Sequence, residues 1–148
     1  MLKVLSVLGY LAMVGGLVGL LVTRNLLSPA AWVLAPQAAA VALMIWARIS
    51  FGRRSFHLAA NPTAGGLVTT GPYRFIRHPI YTAVCLFVTA GVVTHVSWIA
   101  LPLLALVGAG AIARIFCEER LLMARYPEYR QYAAATSRMI PRSPGSCE

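Results

Sequence analysis

Acidic side chains are nearly missing from this chain: four in 148 residues, against thirteen lysines and arginines. Charged residues amount to 11% and hydrophobic ones to 59%, whereas a soluble domain carries about 25% charged residues. So few charges cannot cover a water-facing surface. The chain therefore reads as one integral membrane domain. Cysteine is scarce too: Cys85 and Cys117 lie in apolar runs and Cys147 in the tail. An odd number without CxxC spacing argues against a disulfide framework and against a metal site. His57, His78 and His95 are far apart and lack ligand spacing. Nothing resembling an activated nucleophile is present either. The net charge of +9 is not a nucleic-acid signature, because the arginines sit at the ends of apolar runs, where basic residues set topology.

Four apolar runs are present: Val4 to Val22, Ala30 to Ala47 with Pro36 inside it, Pro79 to Val93, and Trp98 to Ala113. They predict an all-α, polytopic protein of about four transmembrane helices, the fourth continuing beyond its apolar part. Spanning needs about 20 apolar residues. The third run reaches that only if Phe75 and Ile76 enter the interface, or else its helix stops short of one face. The first run follows Lys3 as a signal peptide would, but it is longer than a usual h-region and lacks a clean A-x-A site, so it reads as a retained helix. Its Gly15-x-x-x-Gly19, with Gly16 alongside, predicts a small face for close helix packing.

Basic residues give the orientation. Arg48, Arg53, Arg54, Arg74 and Arg77 lie in the long central connection, and Arg114, Arg120, Arg125, Arg130, Arg138 and Arg142 in the last segment. The other side offers only Arg24. The positive-inside rule then puts both termini and the central loop in the cytosol. Trp32 and Trp98 fall near the outer interface and Trp46 near the inner one. The Ala/Arg-rich composition points to a bacterial inner membrane rather than the endoplasmic reticulum.

Two polar clusters meet on that inner face. Gly71 to Tyr81 packs two arginines, a histidine, two tyrosines and two prolines into eleven residues. Pro79 suits the first turn of a helix and His78 its N-cap; the free N–H groups there favour an anion. Glu118-Glu119 is the second cluster, holding half of the chain's acids. Arg114 is i, i+4 from Glu118, which fits either a simple helix ion pair or a site in which carboxylates receive a cationic or polyhydroxyl ligand and Arg114 holds an anion. Arg114 lies about 24 Å along the helix from Trp98, near the edge of the hydrocarbon core.

Leu67-Val-Thr-Thr-Gly-Pro-Tyr-Arg-Phe-Ile-Arg-His-Pro-Ile-Tyr81, Arg114-Ile-Phe-Cys-Glu-Glu119, Tyr126-Pro-Glu-Tyr-Arg-Gln-Tyr132 and Met139-Ile-Pro141 together resemble the isoprenylcysteine carboxyl methyltransferase family and the related phospholipid N-methyltransferases. The resemblance runs from Gly65 to Pro141. It implies a single domain over 1–148, with N-terminal helices in 1–60, a cofactor-binding and catalytic region in 61–141 and a tail in 142–148. It also implies methyl transfer from S-adenosylmethionine to a lipophilic or lipid-modified acceptor, possible isoprenylcysteine-type carboxylates included, that enters from the bilayer among the membrane lipids. By position, Gly65, Gly66, Leu67, Val68, Tyr73, His78, Pro79, Tyr81, Glu118 and Glu119 would hold the cofactor, and Arg114 would orient an acceptor carboxylate. Ala83 departs from the family, which commonly has glycine there, and bears on the acceptor.

The chemistry is compatible. Methyl transfer from an activated donor needs proximity, orientation and water exclusion rather than a nucleophile or a metal. Two other readings compete. A nicotinamide-dependent membrane sterol reductase shares an Arg-His-Pro-x-Tyr element, but differs at Ile80 and in Thr82-Ala83-Val84, and does not account for Glu118-Glu119. A non-enzymatic lipid-binding subunit accounts for the arginines, but not for the glutamate pair.

Overall fold

A computed structural model describes residues 1–28, 30–52 and 66–141. Those residues form five α-helices with no strand beyond one isolated bridge: α1 Leu2–Val22, α2 Ala31–Phe51, α3 Pro79–Val93, α4 Ala100–Arg125 and α5 Tyr129–Ala135. A short 3₁₀ turn, Gly71–Arg74, precedes α3. Helices α1, α2 and α4 are long and apolar enough to cross a membrane, and α3 is a shorter apolar helix of 15 residues. The polytopic architecture is as expected, with three full-length spans and one short one. Large apolar side chains such as Leu8, Leu34, Ile45 and Ile112 face outward, as a lipid-facing surface requires.

Helix α1 runs antiparallel along α4, and α2 along α3. The α1–α4 seam repeats at alternating steps of three and four. Ser6, Gly9, Met13, Gly16 and Leu20 are buried on α1; Ala100, Val107, Gly110, Arg114 and Cys117 are buried on α4. That spacing gives a left-handed crossing of shallow angle, and the small residues let the backbones approach. A β-carbon at Gly16 would lie 2.9 Å from the Leu103 carbonyl oxygen, and one at Gly9 3.0 Å from that of Gly110. The small face therefore differs from the one expected. Gly15 has open space beside it, and the seam is made by Gly9, Gly16, Gly19 and Gly110. The heptad phase decides this, since Gly15 is one residue off the buried stripe.

Helix α3 is short where the α1–α2 connection folds in against it. Gly91 lies against the Leu26 carbonyl, which a side chain at 91 would strike. Buried Gln37 donates from Nε2 to the Leu26 oxygen at 2.9 Å and to the Phe87 oxygen at 3.4 Å. Non-helical backbone is tolerated at such a place because protein groups satisfy it. At the opposite end the starts of α1 and α3 meet the ends of α2 and α4, and the polar residues gather there.

Candidate functional site

The approach to α3 is built by constrained residues. Gly71 takes φ +61, open to glycine at no steric cost, and a β-carbon there would strike the Ser50 side chain on α2. Pro72 starts the 3₁₀ turn, which buries Tyr73. The Tyr73 ring lies 5.6 Å from that of Phe51. Its phenol is pushed up, first by burial and then by the Glu118 carboxylate. His78 is the N-cap of α3 and Pro79 opens the helix, as expected.

The anion site expected at that helix start is narrower than the sequence indicated. Chain 136–139 lies alongside it: Arg77 N–H donates to the Ser137 oxygen at 2.8 Å and His78 N–H to the Arg138 oxygen at 3.0 Å. The Thr82 hydroxyl donates to the Met139 oxygen at 2.9 Å. No backbone acceptor outside the helix is paired with the Ile80 and Tyr81 N–H groups among the described residues.

Helices α3 and α4 bring the two sequence clusters together. Tyr81 donates its hydroxyl to Glu118 in a short contact and receives Arg114 Nε at 2.7 Å. Arg114 Nη2 lies 3.3 Å from the same Glu118 oxygen. A buried tyrosine, a buried arginine and a partly exposed glutamate thus form one internally neutral cluster in an apolar bundle. The His78 ring stands between the two carboxylates, Nε2 at 3.3 Å from Glu119 and Nδ1 at 3.8 Å from Glu118.

Glu118 and Glu119 part company here. The Glu119 side chain is 4% exposed and is paired with Arg77 at 3.0 Å and Arg138 at 2.8 Å, besides His78. It ties the start of α3 to the chain after α5. The Glu118 side chain is 24% exposed, so part of it is uncovered.

The remaining positions form a neighbouring recess. Leu67 and Val68 line an open cavity of about 430 Å³ with Ser50, Phe51, Gly52, Thr69 and Thr70. Gly66 is exposed beside them at φ +84. Gly65 lies outside the described residues. Tyr73 links the two parts, its ring on Phe51 and its phenol within the field of Glu118. Ala83 is buried in α3. Sequence reasoning missed Tyr10, whose ring centroid is 5.2 Å from the Arg114 guanidinium, because no polar motif surrounds it. It took Arg77 and Arg138 only as topogenic charges. The scarcity of acids was the available signal, since a buried Glu119 must find cations.

Residues 34–129 match the model of a family described as phospholipid methyltransferase. A nickel-cobalt-cadmium resistance protein, NccN, of Alcaligenes xylosoxydans xylosoxydans is 40% identical over 81 residues, covering 51% of this chain and 36% of that protein. The chain thus matches about a third of that relative's length. No solved structure matches.

Proposed function

Because the chain belongs to the phospholipid methyltransferase family, we propose that it moves a methyl group from S-adenosylmethionine to a lipophilic acceptor at the polar end of the bundle. The observation that carries this reading is the Tyr81–Arg114–Glu118 cluster, in which the Glu118 side chain is partly exposed. Ionisable residues within an apolar bundle are costly even when they pair with one another, and where they occur they mark functional sites.

In this reading Glu118 receives the donor's ammonium or ribose hydroxyls. The Ile80 and Tyr81 N–H groups face its carboxylate, and the recess beside Phe51 and Leu67 takes an apolar or aromatic portion. Arg114 keeps Glu118 oriented, and would also meet an anionic acceptor group. Glu119, already enclosed by Arg77, Arg138 and the His78 ring, holds the architecture rather than the donor. The bundle supplies water exclusion and alignment, which an in-line displacement from sulfonium requires. When bound, the donor supplies the electrophilic methyl; the residues orient it. The argininyl ends face the cytosol in this reading, with the acceptor arriving laterally from lipid, and the membrane is a bacterial inner membrane.

The relative's name gives that protein a role in metal resistance. Among the described residues no group of three His, Cys, Asp or Glu side chains is placed to hold a metal ion, so the methyl-transfer reading is the better supported. Titration calorimetry on the detergent-purified protein tests it: S-adenosylmethionine should bind and a reduced nicotinamide should not. Tight nicotinamide binding without a response to the methyl donor would overturn it.

A further inference from the structure

Helix α1 lies outside the residues that match the family, 34–129, yet it touches the Arg114 side chain at two adjacent positions. The Arg114 guanidinium stands over the Tyr10 ring, 5.2 Å from its centroid. One residue earlier, a β-carbon at Gly9 would lie 3.3 Å from Arg114 Cγ and 3.2 Å from Ala113 Cβ. The stem of Arg114 therefore runs through the space left by the missing side chain of Gly9, and its head ends on the face of Tyr10.

We propose that Gly9 and Tyr10 are positioning residues of the site, aiming Arg114 inward at Tyr81 and Glu118. A guanidinium donates hydrogen bonds in its plane and offers flat faces above and below. Here the in-plane groups serve the Tyr81 hydroxyl at 2.7 Å and Glu118 at 3.3 Å, and the guanidinium carbon lies over the Tyr10 ring. An aromatic face attracts a cation without competing for those donors. Tyr10 is about 12 Å along α1 from Leu2, inside the apolar slab. A long basic side chain at such a depth tends to extend toward water. Loss of the ring, or filling of the Gly9 gap, would release Arg114 from the Glu118 oxygen and leave that carboxylate held by the Tyr81 hydroxyl without the arginine.

This rests on the reading of Glu118 as the donor's ligand, and the test separates the two. Calorimetry with S-adenosylmethionine on purified variants should show Tyr10→Leu and Gly9→Ala weakening donor affinity about threefold to thirtyfold, the range from an exposed to a desolvated cation–π contact. Tyr10→Phe, which keeps the ring, should stay within about twofold on the same scale. Gly16→Ala lies in the same seam, where a β-carbon would meet Val107 Cγ2 at 2.7 Å. It should lower the thermal midpoint yet leave donor affinity unchanged. Wild-type affinity in Tyr10→Leu, or equal loss in Gly16→Ala and Gly9→Ala, overturns the proposal. If the wild-type chain itself ignores the donor, the methyl-transfer reading fails. The positioning claim is then decided by a thermal double-mutant cycle of Tyr10→Leu with Arg114→Met: non-additive midpoint shifts uphold it and additive ones overturn it.

Discussion

Glu118 and Glu119 are neighbours in sequence and opposites in surroundings. A helix turns about 100° per residue, so Glu118 faces Tyr81 and Arg114 while Glu119 faces Arg77, His78 and Arg138. Their substitutions should separate accordingly. Glu118→Gln should abolish most donor binding, read by calorimetry, and should also lower the thermal midpoint, since Arg114 is left buried without its carboxylate. Glu119→Gln should lower stability by about 3 kcal/mol, the lower end for breaking a buried pair, because Arg77 is left buried without its carboxylate, while its effect on donor binding should be much the smaller of the two. Thermal unfolding in detergent measures this, and an unchanged midpoint would refute the enclosed role. The sequence showed that the two residues diverge around the helix. It could not show which cations waited on each side, because Arg138 is 19 positions away and reaches Glu119 only through the fold.

At the scale of elements, helices α1 to α4 were legible from hydrophobic runs, since lipid exposure requires apolar side chains all round. The seam between α1 and α4 was not, because an all-apolar helix carries no amphipathic stripe to mark its inner face. Small residues at 9, 16 and 110 mark it instead. Gly110→Ala should cost about 1–3 kcal/mol by overpacking, with a β-carbon 2.8 Å from the Met13 backbone nitrogen. Gly15→Ala and Gly108→Ala, with open space around them, should be neutral in the same unfolding assay. The short α5 depends on its tyrosines. Tyr132 donates its hydroxyl to the Tyr73 oxygen at 2.6 Å, and Tyr129 is buried. Burial pushes both phenols up to about 12 from 10.0. The folded state thus holds these protons more tightly. Its share of stability from them is complete below pH 10.0 and is lost as pH rises through about 12. Tyrosinate absorbance during an alkaline titration should show this pair ionising late and α5 detaching as it does; ionisation at the ordinary phenol pH would contradict the packing.

For the molecule as a whole, the antiparallel order of α1 to α4 places the start of α3 and the end of α4 at one pole, and the exposed His95 and Trp98 belong to the other. If the arginine-rich pole faces the cytosol, as proposed, His95→Cys in a variant whose native cysteines are serine should react with an impermeant maleimide on intact cells. Arg125→Cys should react only after permeabilisation. The reverse pattern would invert the orientation.

The sequence by itself determined the membrane class, the helices and the pole at which polar residues collect, because a slab of hydrocarbon imposes those through composition alone. It also put the Gly71–Tyr81 cluster and Arg114 with Glu118-Glu119 at the same pole, since charge is rare enough in this chain for each polar residue to be informative. Only the tertiary structure decided that Glu119 is enclosed, that chain 136–139 occupies two N–H groups at the start of α3, and that Tyr10 covers Arg114. Those facts depend on contacts between residues far apart in the chain, set by helix phase and close packing, and an apolar sequence leaves that phase unmarked.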